Sequence, residues 1–209
     1  MAIETDKVYN VLKSGGFVRA TPAPLTHQTV DGKVEYNYVP CSVKVGVNDI
    51  VFSAENPLPA DGGYNVVTID DKATIARLDK PGYFYSGDFG GCVFRLYRGD
   101  AGSVYAVHAY NGAKGFADPT QWAQKNGYQL LHEWKSGGQT TSLTSMTAAN
   151  PAGKMAFGSV IACVTHDRID VFTFITHSSA QGLKVMRLGT CTSIKNWKND
   201  VDDVQDEPQ

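Results

Sequence analysis

Between residues 17 and 80 the chain is a succession of short runs rich in β-branched and aromatic residues, "FVRA", "VEYNYVPCSVKV", "DIVFSA" and "YNVVTI". Turn-forming clusters, "TPAP", "DGK" and "NPLPADGG", separate most of them. A helix needs an apolar period of about 3.6 sustained over roughly ten residues, whereas a strand is complete in about four to eight. This stretch is therefore expected to form sheet. Helical signals are confined to two places. Residues 3–14 put Val8, Val11 and Leu12 on one side, with Gly15-Gly16 as the stop. "ADPTQWAQKNG" offers Asp118 as N-cap, Pro119 as first helical residue, Gln121 as capping-box partner and Gly127 as stop. Residues 92–98 and 103–110 read as two strands around "RGDAGS", and "YQLLHEWKS" as another. "FGSVIACVTHDRIDVFTFITHSSAQGLKVMRLGTC" reads as a meander turning at "THDR" and "HSSAQG". The fold expected is α+β, with mixed or antiparallel sheets and a few peripheral helices.

At 209 residues and 42% hydrophobic, the chain can bury one sizeable core, and a single domain over 1–199 is expected. Residues 136–154 are small and polar and read as a long loop. The last ten residues hold five acids and read as a solvated tail, 200–209. Without them 16 acids face 19 Lys and Arg, so the body is near neutral and shows no basic stripe; a nucleic-acid partner is not expected. Cys41, Cys92, Cys163 and Cys191 are far apart, with no CxxC, HExxH or close His pair, which argues against a structural zinc site and a disulfide scaffold. The N-terminus, acidic and without a long apolar run, matches neither a cleaved signal nor a membrane span. The chain is expected to stay in the cytoplasm or to leave by a route needing no cleaved signal.

One stretch carries chemistry. In "YSGDFGGCVFRLYRGDAGSVYAVHAY", Cys92 follows Gly90-Gly91 and His108 comes sixteen residues later across a hairpin. A three-residue loop at Gly99–Ala101 would set Cys92 directly opposite His108, with Cβ atoms roughly 4.5–5.5 Å apart. A loop of two or four residues would set Val93 there instead. Either way the thiol and imidazole come within one residue of each other, on the same face or on opposite ones. A neighbouring imidazole can accept a thiol proton and produce a nucleophile. The glycines permit close approach and would leave the N–H groups of Gly91 or Cys92 free to meet an oxyanion. Ser86 and Asp88 are near enough to orient the imidazole. The competing reading is an ordinary packed strand cysteine.

"GGC" at 90–92 and "YAVHAY" at 105–110 resemble the motif of the cysteine-dependent protein glutamine deamidases, which include the catalytic domain of cytotoxic necrotizing factors and Burkholderia lethal factor. In some members a hydroxyl residue six positions before the Cys completes the triad, and here that position is Ser86; in others a backbone carbonyl serves. Residues 160–182, "VIACVTHDRIDVFTFITHSSAQG", are also similar to the lethal factor's late hairpin. The resemblance implies a mixed β-sandwich flanked by helices and a toxin or effector hydrolysing a glutamine side-chain amide on a host protein. Cys92 would be the nucleophile, His108 the acid–base, Ser86 the orienting group and the region of Gly91 the oxyanion donor. No metal or organic cofactor is implied. A Rho-type GTPase or a translation-initiation helicase would be the substrate class, met in the host cytosol after secretion from a bacterium without a cleaved signal. Two alternatives stand beside it: another cysteine hydrolase (a peptidase or thioesterase) or a transglutaminase, and a non-catalytic binding module using the polar loop and acidic tail. Of the remaining residues, His132 and His166 read as a strand and a turn residue, and His177 as a loop residue that would line a cleft. Cys41, Cys163 and Cys191 read as structural thiols, and Trp122 and Trp134 as core. Asp88 reads as a solvated acid or, if close, a group raising the Cys92 pKa.

Overall fold

A computed structural model describes residues 3–20, 26–139 and 155–198. The polar segment beyond 139 and the acidic tail 200–209 lie outside the described residues. In chain order the first elements are α1 (Thr5–Lys13), β1 (Phe17–Ala20), β2 (Thr26–Asp31), β3 (Val34–Val45), β4 (Asp49–Ala54) and β5 (Gly63–Val66). There follow β6 (Ala73–Leu78), β7 (Gly82–Phe89), β8 (Val93–Arg98), β9 (Val104–Ala109), β10 (Asn111–Gly112) and β11 (Gly115–Phe116). The last are α2 (Thr120–Lys125), β12 (Gln129–Lys135), β13 (Ala156–Val164), β14 (Arg168–Ser179) and β15 (Gly182–Lys195).

The expected α+β sandwich of mixed sheets flanked by helices is not what forms. The protein is mostly β, and eight strands, β3-β4-β1-β15-β14-β13-β7-β5, close into a barrel because β5 pairs back onto β3. The physical reason lies in β3. Its length gives room for two partners along each edge. On one edge β2 pairs with Val34–Tyr38 and β4 with Cys41–Val45. On the other, β6 takes Val34–Tyr36 and β5 takes Tyr38–Cys41. The sheet forks there: through β5 it closes the barrel, and through β6 it continues as a four-stranded arm, β6-β9-β8-β12.

Strand alternation then sorts the side chains into layers. On β7, Tyr83 and Tyr85 point into the barrel, while Phe84 points outward toward the arm. On β13, Ile161 and Cys163 point in and Val160 and Ala162 out. The barrel interior is completed by Phe52, Phe174 and the apolar side of α1, whose Val8, Val11 and Leu12 are all buried. The Glu4 N–H donates to Tyr83 Oη at 2.8 Å, so α1 closes the end where β7 starts. Between barrel and arm lies a second core, with Phe84, Val160 and Val171 facing Phe94, Leu96 and Ala106. Each such fully buried large side chain contributes on the order of 2 kcal/mol. A third core covers the arm's other face, where Trp122 of α2 packs on Tyr97 and Tyr105.

Both helices fall where the sequence places them, α2 with an altered start. It begins at Thr120, with Pro119 at the cap position and no capping box. Asp118 Oδ1 nevertheless accepts from the Thr120 N–H at 3.0 Å, and also takes the Arg95 guanidinium at 2.8 Å. Gly15 and Gly127 end the two helices with φ of 71° and 67°, a backbone state that favours glycine. Among the described residues no helix is long and apolar enough to cross a membrane.

Candidate active site

The β8–β9 turn fixes where the thiol and imidazole meet. The Gly99 N–H donates to Ser103 O at 2.9 Å around a short 3₁₀ turn, with Ala101 and Gly102 at positive φ. Five residues are therefore spent on the loop, Arg98 pairs with Val104, and the residue opposite His108 is Phe94. This corrects both registers expected from the sequence. Cys92 lies two residues before Phe94, just ahead of β8, so it falls on His108's face one step along the diagonal. Opposed diagonal neighbours of this kind sit roughly 7–8 Å apart, within reach of side chains.

Ser86 arrives from β7, on the barrel's outer wall. Its Oγ stands 2.8 Å from Val66 O and 2.9 Å from His108 Nδ1. A carbonyl only accepts, so the Ser86 hydroxyl donates to Val66 and must accept from Nδ1–H. That sets the tautomer: Nε2 bears the lone pair. Nε2 is buried and has no hydrogen-bond partner among the described residues. Such an orphaned acceptor costs free energy and calls for an explanation. Burial holds the His108 pKa down at about 3, so the ring is neutral at ordinary pH.

A β-bulge supplies the ring's second support. Val160 pairs with Ser86 and Gly158 with Phe89, so β7 carries one residue more than β13 between these pairs. Asp88 absorbs the excess with φ of 62°. The bulge brings Phe89 to the same side as Ser86, where it stacks on His108 at a centroid distance of 3.9 Å and an interplanar angle of 10°. Trp134 packs edge-on behind Phe89 at 5.1 Å.

Around Cys92 the chain is pinned by its backbone. Its carbonyl accepts from both the Ser136 N–H (3.2 Å) and Ser136 Oγ (2.8 Å), and Ser136 is fully buried. Cys92 itself is 8% exposed. Burial pushes its pKa up, opposed by the backbone N–H groups of Asn111, Cys92 and Gly90, while Asp70 adds to the rise. Asp88 is not among these influences. Thiol and imidazole are thus both neutral at rest, and no hydrogen bond joins them. Gly91 offers its carbonyl to Asn111 Nδ2 at 3.3 Å. Neither Gly90 nor Gly91 has positive φ; that conformation falls to Asp88. A Cβ at Gly90 would meet nothing within 4 Å, so the chain two residues before the cysteine borders open space.

The arrangement sets a thiol on the same face as an imidazole with a free lone pair, itself held by a hydroxyl, groups that nucleophilic attack on an acyl carbon would require. The other singled-out residues stand elsewhere. His132 is on β12, His166 in the β13–β14 turn and His177 on β14 opposite Lys184. Cys41 and Cys163 are buried in the barrel, and Cys191 is exposed on β15. Trp122 and Trp134 are both buried. No cluster of three or more His, Cys, Asp or Glu among the described residues could share a metal ion. Phe89, Asn111, Ser136 and the Val66 carbonyl escaped sequence reasoning. Only the Asp-Phe pair ahead of "GGC" offered a local signal, and a bulge is invisible without its partner strand.

Beside this cluster, at the barrel end opposite α1's N-terminus, a groove of about 570 Å³ opens between the ends of β1, β5 and β7 and the β14–β15 turn. Asp88, Arg19, Asn65, Ser179 and Gln181 are among its lining residues; Cys92 and His177 are not.

No family model and no curated protein matches this chain. Among solved structures, the C-terminal domain of CNFy from Yersinia pseudotuberculosis is a distant neighbour, at 10% identity and a TM-score of 0.40, covering 92% of this chain and 100% of that one. A likeness at that level assigns no function.

Proposed function

We propose that this protein is a cysteine-dependent amidohydrolase that converts a glutamine side chain of a partner protein to glutamate. Cys92 is the nucleophile, His108 the acid–base and Ser86 the orienting group. One observation carries the reading: Ser86 ties down Nδ1 and leaves Nε2 a buried, unpartnered lone pair on the face shared with the only cysteine there. Cys92 Sγ attacks the carboxamide carbon as its proton passes to Nε2. The oxyanion of the tetrahedral intermediate draws on the N–H groups of Gly90, Cys92 and Asn111. Nε2 then protonates the departing nitrogen, ammonia leaves and a thioester remains. Water enters, Nε2 takes its proton, and the hydroxide displaces the sulfur, which recovers the proton. The net change is amide plus water to carboxylate plus ammonium. Because both groups rest neutral, the proton moves with the attack rather than before it.

By the same reading the partner is a host protein, a Rho-type GTPase or a translation-initiation helicase, modified in the host cytosol. The test is peptide mass spectrometry on host-cell lysate treated with wild type, Cys92→Ala or His108→Ala. Glutamine-to-glutamate conversion with wild type alone is the expected result, and it names the target. Cleaved backbones or amine adducts in its place would move the chemistry to a peptidase or a transglutaminase. Identical peptides from all three folded proteins would overturn the assignment in favour of a binding module.

A further inference from the structure

The groove beside the site holds a charge that the fold does not answer. Arg19, at one wall, is already paired with Asp49 at 3.5 Å. Asp88, exposed at the opposite wall, makes no ion pair or hydrogen bond with the described residues. It also has the positive φ of the bulge, a conformation that costs a non-glycine residue free energy and tends to persist where function uses it. In a regular ladder Asp88 would stand where Phe89 now covers His108. The bulge exchanges the two, giving the imidazole an aromatic cover and turning the carboxylate out to the barrel mouth. The remaining lining is uncharged: Asn65, Thr68, Ser178, Ser179 and Gln181.

We propose that this groove is a recognition subsite for a lysine or arginine side chain of the substrate polypeptide, with Asp88 as its charge partner. The inference deepens the deamidase reading and rests on it. Asp88 lies two residues from Ser86 and four from Cys92, so a chain whose basic side chain enters the mouth is held beside Gly90, where a Cβ would meet nothing within 4 Å. A groove of about 570 Å³ is in the range that encloses a side chain together with its backbone. The single uncompensated charge selects the sign of what enters, and the ring of hydroxyl and amide groups satisfies a polypeptide's own polar atoms.

The test uses the full chain in three forms: wild type, Asp88→Asn and Asp88→Arg. Asparagine tolerates positive φ, so Asp88→Asn removes the charge without disturbing the bulge. Each form is incubated with host-cell lysate, converted glutamines are quantified by mass spectrometry, and Cys92 alkylation by iodoacetamide is followed in parallel. Converted glutamines are expected to lie next to Lys or Arg in the folded target. Their conversion should fall about tenfold in Asp88→Asn and further in Asp88→Arg, while Cys92 alkylation stays at the wild-type rate. Changing the adjacent basic residue of the target to Glu should restore conversion by Asp88→Arg. Conversion of the same glutamines at the wild-type rate by Asp88→Asn overturns the subsite and leaves the deamidase standing. Absence of conversion by wild type, with Cys92 alkylated normally, overturns the deamidase reading and the subsite with it. Should Asp88→Arg fail to fold, Asp88→Asn decides alone.

Discussion

His108 is the residue on which protonation and folding meet. In the unfolded chain its imidazole takes a proton near pH 6.5, whereas in the fold burial delays protonation to about pH 3. A histidine with a depressed folded-state pKa contributes stability that is complete above the unfolded value and is lost as pH falls toward the folded one. Between those limits the unfolded state binds the extra proton, and stability should fall by about 1.4 kcal/mol per pH unit. Urea unfolding at pH 7 and pH 4.5 should show this slope in wild type and a shallower one in His108→Gln. An equal slope in both would mean that the imidazole is hydrated in the fold. That Cys92 and His108 lie on the two sides of one hairpin was legible in the sequence, because a hairpin keeps residues on either side of its turn close whatever the loop length. Their neutral resting state was not. It arises from burial, to which Phe89 from β7 and Trp134 from β12 contribute over the imidazole.

At the scale of elements, β12 and the 3₁₀ turn after it hold Cys92 in place. Ser136 closes a two-donor clamp on the Cys92 carbonyl. Ser136→Ala leaves the N–H donor and removes the hydroxyl, so a loss of about 1 kcal/mol in stability is expected from urea unfolding. The same variant should lower kcat on the identified target with little change in KM, since the clamp places the sulfur and touches no substrate. Strand positions were readable from composition: the runs "VEYNYVPCSVKV" and "FGSVIACV" fall within or overlap β3 and β13. Their neighbours were not readable. "AFGSVIACV" is buried on both faces, so the alternation that would reveal a core side is absent. The β8–β9 register failed for a related reason: the loop's length depends on Ala101 entering a left-handed turn, which its residue type does not advertise.

For the molecule as a whole, β7 is the shared wall, lining the barrel interior with Tyr83 and Tyr85 and the site layer with Phe84 and Ser86. Phe84, fully buried between barrel and arm, should cost about 3–5 kcal/mol when cut to alanine. Urea unfolding followed by tryptophan fluorescence should show the barrel and arm lost in one transition. Separate transitions would mean that the arm folds independently. Barrel closure could not be foreseen, because it depends on β3 taking two partners along one edge, a property of strand length and twist rather than of local pattern. That closure has a genetic consequence. The chain of hydrogen bonds from His108 through Ser86 ends on the Val66 carbonyl, in the strand that seals the barrel, and no codon change can delete a carbonyl. A saturation screen for loss of activity would mark Cys92, His108 and Ser86 and pass over position 66. An ester or thioamide placed in the backbone there, by chemical synthesis, is what would bring the silent fourth member to light.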